Sequence, residues 1–163
     1  MTNPTLLHID DSEDDRFLFG KACAQVSAEF NLQSVAGGSE AQGYLQGTGM
    51  YADRSNFPFP DLVLLDLKMP PPDGFGVLRW IRDRPEFNRL AVCIHTSSFQ
   101  YEDIQKTYAV GANCFLTKSA SFEKLVVVAA AIGQAISQLP PQLDVLKQLP
   151  EFRHKMQPSL RDG

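Results

Sequence analysis

The stretch Leu62-Val63-Leu64-Leu65-Asp66-Leu67-Lys68-Met69-Pro70 decides the fold. Its first four residues form an unbroken apolar run of strand length. Such a run, rather than an alternating one, is what a central parallel strand covered on both faces requires. The run stops at Asp66, and Pro70, Pro71 and Pro72 forbid an immediate helix. Asp73-Gly74 then leads into a helix over about Phe75 to Arg82, with Val77, Leu78 and Ile81 facing inward. Upstream, Leu6 to Ile9 reads as a first strand and Ser12 to Phe30 as a helix, with Leu18, Phe19, Ala22, Cys23 and Val26 at helical spacing. Leu32 to Ala36 is a weakly marked second strand, and a helix follows from about Ser39 to Leu45. Gln46 to Pro60, with its Gly, Asn, Asp and Pro residues, is a surface loop by composition. Downstream, Ala91 to Thr96 and Cys114 to Thr117 are strands, Tyr101 to Val110 is a helix, and Phe122 to Leu139 is the last helix. Strand and helix alternate five times. This predicts an α/β domain with a five-stranded parallel sheet and helices on both faces.

Composition narrows the function. At 163 residues the chain suits one domain with a full core, expected over residues 1–139. From Pro140 the composition shifts to Pro, Gln and charge, so residues 140–163 read as a tail with a short helical possibility at Leu143 to Leu149 and no separate output domain. A net charge of -4 and a pI near 5.3 argue against a nucleic-acid footprint, which needs clustered Lys and Arg. Acids occupy the start where a secretory leader would be basic and apolar, and no long apolar span follows, so a cytoplasmic protein with no membrane role is expected. Cys23, Cys93 and Cys114 lack metal-site spacing and read as reduced core residues.

The polar residues cluster at the carboxyl ends of the strands, where ligand sites form in parallel α/β sheets. Strand one ends in Asp10-Asp11, strand three in Asp66, strand four in Thr96-Ser97-Ser98 and strand five in Lys118. Three converging carboxylates repel one another, so a cation belongs between them. Oxygen-only donors favour Mg²⁺ over zinc. Taken singly, each residue has a plain structural reading: helix N-terminal acids, a turn aspartate, a strand threonine, a solvated lysine. Four strand ends each presenting the needed group outweigh that reading.

With Asp10-Asp11, LVLLDLKMP, Asp73-Gly74, Thr96, Gly111-Ala112 and Lys118 in order, the chain resembles the receiver domains of two-component response regulators. Single-domain chemotaxis regulators are the simplest of these. The long loop Gly47 to Pro60 is similar to that of small regulators partnered with phytochrome-type kinases. The resemblance implies a flavodoxin-like receiver fold, and a phosphoryl group received on Asp66 from a sensor histidine kinase or phosphotransfer protein. It implies Mg²⁺ held by Asp11, Asp66 and the Lys68 carbonyl, with Asp10 acting mainly through a water. Thr96 and Lys118 would contact the phosphoryl group, and Phe115 would be the aromatic that changes rotamer with Thr96. The chain would then be a switch with at most slow self-dephosphorylation.

Three residues depart from the family pattern. Ser119 stands where a cis-proline usually helps to aim the lysine, so Lys118 is open to a different aim. His95 replaces an aliphatic strand residue and reads as a semi-buried histidine without a role. Lys68 stands at the pocket rim, where hydrolysis is tuned. Its cation also replaces the second aspartate that an aspartate-nucleophile hydrolase needs as leaving-group acid, which removes that rival. A phosphate-independent pseudo-receiver scaffold remains the alternative. The signal is expected to leave through the fourth helix, fifth strand and last helix, in a homodimer. Val126, Val127, Ala130 and Ala131 lie outside the stripe Phe122, Leu125, Val128, Ala129, Ile132 and Ile136 that seats the last helix, so either a partner or the folded-back tail would cover them.

Overall fold

Strand β3 (Leu62–Leu65) has all four side chains sealed from water, worth about 2 kcal/mol each in transfer free energy, so this segment is driven to the sheet centre. The computed structural model describes residues 2–27 and 29–155. In it β3 lies between β1 (Thr5–Ile9) and β4 (Ala91–Thr96), with β2 (Asn31–Val35) and β5 (Cys114–Thr117) at the flanks. The order is β2-β1-β3-β4-β5, and these strand pairings are all parallel. The chain reverses direction across the sheet at β1 and β3, which opens a crevice at their carboxyl ends.

Alternation along the strands splits the core in two. Leu7, Ile9, Val63, Leu65, Val92, Ile94 and Phe115 face the helices α2 (Gly38–Gln46), α3 (Gly74–Arg82) and α4 (Tyr101–Val110). Leu6, Leu62, Leu64, Cys93, Cys114 and Leu116 face α1 (Glu13–Gln25) and α5 (Phe122–Ile136). The three cysteines are free thiols, and Cys93 and Cys114 are buried.

Caps set the helices that frame the crevice. The Ser12 hydroxyl accepts from the Asp15 amide at 3.2 Å, and Glu13, Asp14 and Asp15 sit favourably against the α1 dipole. Asp73 caps α3 by accepting from the Gly76 amide at 2.9 Å. A Cβ on Gly74 would stand 2.2 Å from the Asp66 carbonyl oxygen, so only glycine lets α3 start this close to the end of β3.

The strands β3, β4 and β5 and helix α4 have the bounds expected from sequence. Helix α1 ends at Gln25 instead of Phe30, because the chain must turn to enter β2 beside Pro4, whose carbonyl accepts from Asn31. Helix α5 ends at Ile136 instead of Leu139. The loop 46–60 contains a 3-10 turn at Gly49–Ala52 and is pinned by Arg54, whose guanidinium donates to the Tyr44 and Leu45 carbonyls at 2.8 and 2.9 Å and so caps the end of α2.

The compositional break at Pro140 is not the end of packed structure. A 3-10 segment, Leu143–Gln148, lies against α5 with Leu146 fully buried. The chain then runs antiparallel along the outer edge of β5. The Thr117 amide donates to Glu151 and the Arg153 amide to Phe115, both at 2.9 Å. Residues 156–163 of the expected tail lie outside the described residues. Of the two coverings expected for the last helix, a partner or the folded-back tail, the strap supplies the second in part. Val126 and Ala131 join the core cluster that also takes Leu143, Val145, Leu149 and Phe152, which leaves Val127 and Ala130 exposed.

Candidate functional site

Each strand end delivers its polar residue to the crevice. Asp10 follows β1 and is fully buried; its Oδ1 accepts from the Ser12 amide at 2.9 Å, the turn that starts α1. Asp66 follows β3, with its amide bonded to the Ile9 carbonyl at 3.0 Å, which fixes it beside Asp10. Asp11 is exposed at the rim. The carboxylate oxygens of Asp10, Asp11 and Asp66 lie within 4.8 Å of one another. Three hard anionic donors this close, with one side open to water, fit a divalent cation of the Mg²⁺ or Mn²⁺ kind.

Lys118 crosses from the end of β5 into this group. Its Nζ stands 2.7 Å from Asp10 Oδ2, 2.7 Å from Asp15 Oδ2 and 2.8 Å from Asp66 Oδ2. Burial alone would lower the lysine's pKa, but its bonds to the three carboxylates outweigh that and raise it, so the ammonium is held charged. Burial raises the Asp10 carboxyl above its ordinary range, while the Lys118 bond acts to lower it. The Lys118–Ser119 peptide is trans, and the lysine reaches Asp66 without a proline behind it. Its aim is set by the Lys118 amide, bonded to the Thr96 carbonyl at 2.8 Å, and by the acids in front.

Thr96 is fully buried, and its hydroxyl has no partner. An orphaned hydroxyl at the end of β4 is a donor waiting for an acceptor that the protein itself does not supply. Phe115 is also fully buried, one strand over. Lys68 projects into solvent, and only its amide touches the group, donating to Asp66 Oδ1 at 3.3 Å. Ser98 donates to Asp103 and faces α4 instead of the acids.

Asp15 and His8 were not singled out from sequence. Asp15 has a legible signal, since a third acid in the first turn of α1 points back over the crevice. His8 carries none, because a histidine inside an apolar strand looks like His95. Both imidazoles are buried and neutral, desolvation first and Lys118 among the charges pushing their pKa values down to about 3. The 3.7 Å approach of His8 Nε2 to Asp10 Oδ2 is therefore a contact of a neutral ring, not an ion pair.

The model of the response regulator receiver domain matches residues 6–130. The chain belongs to the response regulator receiver family. This receiver is 33% identical over 126 residues to the response regulator Rcp1 of Synechocystis sp., covering 76% of this chain and 84% of that protein. Among solved structures, it superposes on the phosphorylated cyanobacterial phytochrome response regulator RcpA with a TM-score of 0.75 at 31% identity, covering 84% of this chain and 96% of the other. It superposes on the Mn²⁺-bound form of Rcp1 with a TM-score of 0.73 at 29% identity, covering 85% and 99%. The receiver fold expected from the motifs is the one observed, as is the likeness to phytochrome response regulators. The departures at His95 and Ser119 are thus variations within a receiver. Among the described residues, no helix is long and apolar enough to cross a membrane.

Proposed function

We propose that this receiver is a phosphorylation switch in which Asp66 accepts a phosphoryl group from the phosphohistidine of a sensor histidine kinase or phosphotransfer protein. One observation carries the reading: Lys118 Nζ stands 2.8 Å from Asp66 Oδ2 while the buried Thr96 hydroxyl has no partner. An Asp66 oxygen attacks phosphorus, the phosphorus–nitrogen bond breaks, and the electron pair returns to the imidazole of the donor. Mg²⁺, held by Asp11, Asp66 and the Lys68 carbonyl with Asp10 behind a water, would supply positive charge to the phosphoryl oxygens. Lys118 then exchanges its Asp66 contact for a phosphoryl oxygen and Thr96 donates its hydroxyl to another. The movement of Thr96 leaves room into which Phe115 can follow.

The same reading gives the remaining assignments. Residues 1–139 make the receiver, and the segment 140–155 packs onto it. The partner is a kinase, of phytochrome type as in the relatives, and not a nucleic acid or a membrane; the setting is cytoplasmic. A homodimer on the α4-β5-α5 side would include the strap in its surface and the exposed Val127. Self-dephosphorylation is slow, because Lys68 has no acceptor with which to orient a water.

The test is labelling with acetyl phosphate and Mg²⁺. Wild type should form one acid-labile adduct per chain and Asp66→Asn none, with unchanged circular dichroism. Equal labelling of the two proteins removes Asp66 as the acceptor. Absence of labelling in wild type favours the phosphate-independent scaffold.

A further inference from the structure

The Lys118 ammonium has three N–H donors, and three carboxylates take them: Asp10 Oδ2 at 2.7 Å, Asp15 Oδ2 at 2.7 Å and Asp66 Oδ2 at 2.8 Å. In the reading above, Asp66 accepts the phosphoryl group and Asp10 acts on the metal through a water. Asp15 has neither task. Its side chain is 42% exposed, and an ion pair that open to water contributes little to stability. As an anion it also opposes the approach of an anionic phosphoryl donor. What Asp15 offers the reaction must therefore pass through the lysine that it holds.

The lysine needs holding. It leaves the end of β5 at the flank of the sheet, and its head must pass β4 to reach Asp66 at the end of β3. A flexible four-carbon stem does not fix that aim by itself. Behind it stands Ser119, whose hydroxyl is turned to its own loop and accepts from the Ser121 amide at 3.1 Å. Steering comes instead from Asp10 and Asp15, and both of these anchors are set by the first turn of α1. Asp10 Oδ1 accepts from the Ser12 amide at 2.9 Å, and the Arg16 guanidinium donates to the Asp10 carbonyl at 2.6 Å. The Asp15 amide is the one that donates to the Ser12 cap. When a phosphoryl group arrives, the N–H that faces Asp66 passes to a phosphoryl oxygen while the other two stay bonded. Two fixed bonds leave the third N–H one direction in which to point.

We propose that Asp15 is a positioning residue for phosphoryl transfer: with Asp10 it clamps the Lys118 ammonium so that the remaining N–H is aimed at the phosphoryl oxygens over Asp66. The inference rests on the reading of Asp66 as the phosphoacceptor. Asp15 touches neither the phosphorus nor the acceptor oxygen, and it acts through Lys118 alone.

Two measurements on the full chain test the clamp. The first uses no phosphodonor and follows the Lys118 ammonium by ¹⁵N spectroscopy. In wild type its protons should exchange slowly enough with water to give a resolved signal. Asp15→Asn should lose that signal, and Asp15→Glu, which keeps the charge on a longer arm, should retain it. The second is the rate at which acetyl phosphate with Mg²⁺ labels Asp66, the phosphoryl group passing to the carboxylate as acetate leaves. Asp15→Asn should label about tenfold more slowly, as befits a transition-state donor that is loosened and not removed. Asp15→Glu should recover the wild-type rate to within about twofold, with the urea midpoint alike in all three proteins. A merely structural acid would move the urea midpoint and leave the rate alone. An ammonium signal that survives Asp15→Asn, an unchanged labelling rate, or Asp15→Glu as slow as Asp15→Asn would each overturn the clamp. Failure of the Asp66 reading looks different, because wild type itself then takes no label.

Discussion

The two faces of the sheet are built on opposite plans. Toward α2, α3 and α4 the middle of the strands is closed apolar packing, from Leu7 across to Phe115, with the unpartnered Thr96 hydroxyl only at its upper end beside the acids. Toward α1 and α5 the same strands present Leu and Cys below but His8 and His95 above, with orphaned nitrogens beside a cavity. The first face is where stability is concentrated. The second gives up some stability next to the acids, and polar orphans of that kind gather where a protein handles something other than itself.

The largest effect that would break this contrast concerns the acids themselves. Asp11→Ala should weaken Mg²⁺ binding by at least about tenfold, and Asp10→Ala by less, because Asp10 is buried and already bonded to Lys118. Isothermal titration calorimetry of both variants with Mg²⁺ checks the order. Equal losses would mean that Asp10 is a direct ligand.

Next comes the closed face. Leu65→Ala should cost about 3 kcal/mol in urea unfolding, since a fully buried leucine leaves a cavity behind. His95→Leu, one residue beyond Ile94 on the neighbouring strand, should change stability by less than about 1 kcal/mol or raise it, because it removes an unpartnered nitrogen. Similar losses for the two would erase the distinction between the faces.

The pH dependence follows from the same histidines. Their folded pKa values, near 3, lie below the unfolded value of 6.5, so the unfolded chain takes up protons first as the pH falls. The stability they contribute is present above pH 6.5 and drains away below it, by about 1.4 kcal/mol per pH unit for each ring. Asp10, raised by burial, opposes this at the acid end, because the folded state takes its proton earlier than the unfolded chain does. Urea unfolding at pH 7, 6 and 5 should show the decline, and His95→Leu should roughly halve its slope.

The smallest effect is on the strap. Tyr108→Phe removes the hydroxyl that donates to the Arg153 carbonyl at 2.6 Å and should cost about 1 kcal/mol or less. Hydrogen exchange at the Arg153 amide should quicken in that variant, while β3 amides stay protected.

Legibility in the sequence followed the same division. Strand β3 and the three proline residues after Asp66 could be read because a continuous apolar run and a helix breaker have few alternatives. Lys118, Thr96 and the acids could be placed because each ends a strand, and strand ends in a parallel sheet share one edge. The strap could be read only in part: the short helical segment near Leu143 to Leu149 and a folded-back course were legible, but its backbone pairing with β5 was not, because side-chain patterns are blind to it. The end of α1 lacked a glycine or proline to mark it. Asp15 acts through its position in the first turn, and His8 through burial. The first is legible as an acid in the opening turn of α1, whereas the second is not visible until the helix has been set against the sheet.

The strap also answers a problem of solubility. Strand β5 reads Cys-Phe-Leu-Thr, all four residues buried, and it is the last strand of the sheet. A bare edge of that composition is a template for another molecule's strand and a seed for aggregation. By donating from Thr117 to Glu151 and from Arg153 to Phe115, the chain fills its own edge with its own backbone. The segment that looks most dispensable in the sequence is the one that keeps copies of this protein from pairing strand to strand.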